Sequence, residues 1–96
     1  MSRYFIPYSG DKPTAVDING HRLIILCKDR GAIEDDLEII GADSLKLMKT
    51  GGSREEESRA LNRLSKTNHA GVVIAPDDIE LKDVLKNLEV QLPWLQ

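Results

Sequence analysis

Cysteine, histidine and aromatic residues are scarce in this chain, and each scarcity closes off a class of chemistry. The single cysteine, Cys27, cannot form an intramolecular disulfide, and its place in an apolar run assigns it to the core as a small hydrophobe. One cysteine and two widely separated histidines leave no zinc-ligand spacing. His21 and Cys27 share a strand face by parity, but a separation of six residues at ~3.3 Å each puts them roughly 20 Å apart, too far for a nucleophile–base pair. No apolar run approaches the length of a bilayer span, and the opening MSRYFIPYSG has no continuous apolar signal core, so a cytoplasmic protein without membrane contact is expected.

A basic run is also missing. Thirteen Lys and Arg stand against sixteen Asp and Glu for a formal charge of −3, and the acids gather at 34–38, 55–57 and 77–80. Nucleic acid is therefore not an expected partner, because displacing its counterions takes a concentrated positive surface. The glycines of Thr50-Gly51-Gly52-Ser53 are not followed by the lysine of a phosphate loop. Glu55, Glu56 and Glu57 come next, where they complement a helix dipole and would repel a phosphate.

What the chain does have is hydrophobic patterning. Asn19-Gly20 between two apolar runs predicts a two-residue hairpin, with Ile18 opposite His21, an Asp17–Arg22 ion pair, and Val16 opposite Leu23. Residues 23–26 are apolar on both faces, as in a strand covered by helices. Asp29 is placed to cap a helix with Ile33, Leu37 and Ile40 on one side and Gly41 at its end. Residues 44–49 alternate like an edge strand. Ser53 and Glu56 form a capping box for a second helix, whose narrow stripe is Ala60, Leu61 and Leu64. Residues 71–75, Gly-Val-Val-Ile-Ala, suggest a buried central strand. Asp77 or Asp78 then caps a third helix carrying Leu81, Val84, Leu85, Leu88 and Leu92, with Pro93 beyond it.

With 96 residues, 41% of them hydrophobic, this describes one small α/β domain. A β-hairpin is followed by helix, strand, helix, strand and helix, and the four strands form one mixed sheet in the order 1-2-4-3, covered by helices. Residues 1–14 are an N-terminal arm, 15–92 the domain, and 93–96 an apolar tail.

Two functional readings follow. The four aromatic residues, Tyr4, Phe5, Tyr8 and Trp94, all lie outside the aliphatic body. Aromatic anchors concentrate at interfaces, so Tyr4, Phe5, Tyr8, Trp94 and Leu95 are the candidate contact residues of a non-enzymatic module that binds itself or another protein and needs no cofactor. The alternative places a phosphate-bearing small molecule at the carboxyl ends of the strands, near Lys28, Asp29, Lys49, Ser53, Asp77 and Asp78, with Mg²⁺ held by Asp29 and Asp77 or Asp78. Against it, Asp29, Ser53 and Asp77 or Asp78 already serve as helix caps, each stabilising by about 1 kcal/mol without a ligand. The acidic pair Asp35-Asp36 and the Asn68-His69 helix end are assigned to solvated helix surface and capping.

Overall fold

The computed structural model describes residues 2–95, the side chain of Ala32 excepted. In chain order it has strands β1 (Arg3–Ser9), β2 (Lys12–Pro13), β3 (Val16–Ile18) and β4 (His21–Leu26), then β5 (Ser44–Lys49), helix α1 (Arg54–Asn68), β6 (Gly71–Ile74) and helix α2 (Leu81–Gln91). Two 3₁₀ segments, Arg30–Ala32 and Glu34–Ile40, connect β4 to β5. The chain is one compact domain of mixed α/β class, built on two three-stranded sheets.

The hairpin forms in the expected register, Val16 opposite Leu23, Asp17 opposite Arg22 and Ile18 opposite His21. Asn19 (φ 55°) and Gly20 (φ 86°) both take the left-handed conformation that a type I′ turn requires. The Asp17–Arg22 ion pair does not form: the ion pairs among the described residues are Arg30–Glu34, Arg59–Glu55 and Lys82–Glu80, all exposed. β4 also pairs in parallel with β6, Leu23 beside Gly71 through Leu26 beside Ile74, so the order β3-β4-β6 matches the first three places of the expected sheet.

The fourth place is different. β5 is an edge strand, but it lies in the other sheet, paired antiparallel with β1 from Arg3–Lys49 to Tyr8–Ser44. The stretch expected as an arm is thus the central strand of a sheet ordered β2-β1-β5. Pro7 hides this from the sequence, since proline inside a run argues against an interior strand. Its position resolves the conflict. The N–H and C=O of Phe5 face Cys27 at 2.6 and 3.1 Å between heavy atoms, and by alternation those of Pro7 face the same side, where its carbonyl accepts from Thr14 N–H at 2.8 Å. The missing N–H therefore removes nothing from the β1–β5 ladder. The Phe5–Cys27 bridge joins the two sheets.

Because β5 left the first sheet, β6 is an edge strand and not a buried central one: Val72 and Val73 are half-buried and Ile74 is exposed. The first expected helix is 3₁₀ and not α. Its ends are as read, with Asp29 Oδ1 accepting from Gly31 N–H at 3.0 Å and Gly41 closing it at φ 77°, but Gly31, Asp35 and Asp36 are poor α-helix formers. Ser53 caps α1, its Oγ accepting from Glu56 N–H at 3.1 Å. The N-cap of α2 is Glu80, without a side-chain bond, so the helix starts later than an Asp77 or Asp78 cap would place it.

β4 divides the interior. Ile24 and Leu26 point into a cluster with Tyr4, Ile6 and Ala70, bordered by Tyr8, Met48, Leu61 and Leu64. Ile25 and Cys27 point into a second cluster with Ile33, Ile40, Leu81 and Val84. A strand apolar on both faces is what lets a short chain hold two core layers.

Candidate functional site

Three places on the molecule gather functional side chains, two of them built from residues singled out in the sequence. At the carboxyl ends of β4 and β6 the chain does form a cavity, of about 410 Å³, and Asp29, Asp77 and Asp78 line it as expected. Asp35, Asp36 and Glu80 join them, so every charged side chain on its wall is acidic. Lys28 and Ser53 do not line it, and Lys49 lines a different groove. A phosphate would meet repulsion here. Among the described residues no three carboxylate, histidine or cysteine side chains stand together so as to hold one metal ion. Beneath, Asp77 and Asp29 act on Cys27. Burial first, then the two nearby carboxylates, push its thiol up to about 11, which disfavours the thiolate.

The five aromatic and apolar contact candidates separate. Tyr4 is 1% exposed and its hydroxyl donates to the Glu57 carboxylate, which ties β1 to α1. That hydrogen bond, then burial, raises its pKa above the ordinary phenol value. Tyr4 is a core residue, a correction to its placement on a contact surface. Phe5 is half-buried at the bridge between the sheets. Tyr8 is half-buried, with Lys46 Nζ 4.3 Å from its ring centroid.

Trp94 and Leu95 are 75% and 58% exposed. Their backbone is nonetheless held. Asn19 Nδ2 donates to the carbonyls of Glu89 at 2.9 Å and Leu92 at 2.8 Å, and Leu95 N–H donates back to Asn19 O at 2.9 Å. His21 Nε2 lies 2.7 Å from Pro93 O, a carbonyl that can only accept. Gly20 is needed here for a second reason, since a Cβ on it would come within 3.1 Å of Leu95 Cβ. Val90, 86% exposed on the last turn of α2, adds apolar surface to the same end of the chain. Val90 was not among the sequence candidates; its absence from the stripe Leu81, Val84, Leu85, Leu88 and Leu92 is the signal that could have found it.

The third place was not foreseen. A groove of about 890 Å³ runs between the β2-β1-β5 sheet and α1, and Lys12, Arg22, Lys46, Lys49 and Arg63 line it against one acid, Asp11. Its cations come from four separate elements, so no linear signal marks it. No helix among the described residues is long and apolar enough to cross a membrane. Comparison with protein-family models, with curated proteins and with solved structures gives no match to this chain.

Proposed function

We propose that this protein is a non-enzymatic contact module that associates with a second copy of itself through Trp94, Leu95 and Val90. The observation that carries this reading is an indole left 75% exposed on a backbone held at four points by the hairpin tip. A free tail would lose conformational entropy on binding; a side chain presented on a fixed backbone loses less, and tryptophan is the residue most enriched at interface hot spots. The phosphate and Mg²⁺ reading of the strand ends draws no support from a cavity whose charged walls are all carboxylates.

Light scattering behind size exclusion, on the wild type and Trp94→Ala, tests this. The wild type is expected to be a dimer, and Trp94→Ala to weaken it by a factor of about 30 or more, the scale of a hot-spot truncation. The exposed position predicts an unchanged melting curve for the isolated variant chain. A wild type that remains monomeric at high micromolar concentration overturns the reading.

A further inference from the structure

We propose that the groove between the β2-β1-β5 sheet and α1 binds the backbone of single-stranded nucleic acid. This goes beyond the self-association reading and uses none of its residues.

The first support is electrostatic. In a chain of net charge −3, five of the thirteen basic side chains line one groove that holds a single carboxylate. None of the five takes part in an ion pair among the described residues. Even Arg22, directly opposite Asp17 in the hairpin register, forms no ion pair with it and lines the groove. Clustered like charges without partners repel one another, and an anion is the ligand that removes the repulsion.

The second support is the arrangement. The cations stand on both walls, Lys12, Arg22, Lys46 and Lys49 from strands and Arg63 from α1, so they match charge repeated along a polymer better than charge concentrated on one phosphate group. Arg22 and Arg63 offer planar forks for phosphate oxygens. Between the cations the lining mixes apolar side chains, Leu47, Met48 and Leu64 among them, with the polar Thr67, Asn68 and His69, surfaces that suit sugars and bases. A groove of about 890 Å³ has room for a few nucleotides of a single strand. Charged rims over a floor that bases can pack on are the general recipe for sequence-tolerant single-strand binding.

Fluorescence anisotropy with a labelled single-stranded oligonucleotide of mixed sequence tests the proposal, on the wild type, Lys46→Glu/Arg63→Glu, and the control Lys86→Glu on α2. The wild type should bind with an affinity that falls with salt, the logarithmic slope being about −3 for four or five neutralised phosphates. The double substitution should weaken binding at least about tenfold, while Lys86→Glu changes it little. Circular dichroism checks that the variants, altered only at exposed positions, stay folded. Trp94→Ala should leave binding intact, so failure here is separable from failure of self-association. Absence of salt-dependent binding overturns the proposal, as does equal weakening by Lys86→Glu. Competition by polyglutamate as effective as by unlabelled oligonucleotide would reassign the groove to acidic peptides. A mononucleotide that binds as tightly as the oligonucleotide would rule out a polymer ligand.

Discussion

The two sides of β4 carry surfaces of opposite character. On the side of Ile24 and Leu26, the core of Tyr4, Ile6 and Ala70 continues through Tyr8, Met48 and Leu64 into the cationic groove. On the side of Ile25 and Cys27, the core of Ile33, Leu81 and Val84 reaches through Ile79 to the acidic cavity. The acids come from two short segments, 29–36 and 77–80, which follow β4 and β6 and are brought side by side by the parallel pairing of those strands. The cations are brought from β2, β4, β5 and α1 and meet only because the chain folds. What separates the two is engagement: Asp29 caps the first 3₁₀ segment and Glu80 pairs with Lys82, whereas none of the five groove cations has an ion-pair partner among the described residues.

The comparison is most severely broken at β4 itself. Ile24→Ala and Ile25→Ala, at positions 0% and 1% exposed, should each lower stability by about 2–5 kcal/mol in urea unfolding. If the two layers are separate packing units, the losses add in the double variant to within about 0.5 kcal/mol; a larger coupling would make them one core.

A smaller effect distinguishes the acidic side by pH. Burial and the carboxylates of Asp77 and Asp29 raise the Cys27 thiol to about 11 in the folded protein, above its value in the unfolded chain. The folded state thus holds this proton more tightly. The associated stability is complete below the unfolded pKa and is lost as pH rises from about 9 towards 11, a contribution on the order of 2 kcal/mol. Urea unfolding across that range should show a steeper alkaline loss for the wild type than for Cys27→Ala. Equal slopes would mean that the thiol is not shielded.

The smallest effect concerns the cavity rim. Asp78→Asn removes one of six acidic side chains that share a wall, and should stabilise by a few tenths of a kcal/mol, as relief of surface repulsion does. The gain should shrink in molar salt, where exposed charges are screened. A loss of stability on thermal unfolding would show that Asp78 makes a favourable contact.

The sequence by itself determined the elements whose causes are local. Asn19-Gly20 can supply two left-handed residues, which fixes the hairpin and its register. Ser53 sets the start of α1 through the Glu56 N–H, Gly41 closes the 3₁₀ run, and Leu81 and Val84 give α2 its buried face. The apolar run 23–26 marked a strand covered on both sides, and so a mixed α/β domain. Only the tertiary structure decided which strands share a sheet. Pairing β1 with β5 brings together residues about forty positions apart, and nothing near Tyr4 or Met48 in sequence reports that partnership. That one pairing turned an expected arm into a central strand, buried Tyr4, made β6 an edge and gathered Lys12, Lys46 and Lys49 beside Arg22 and Arg63. Backbone conformation and capping depend on neighbours within a few residues. Sheet partnership depends on which distant apolar faces bury each other, and the electrostatics of the surface follow from that choice.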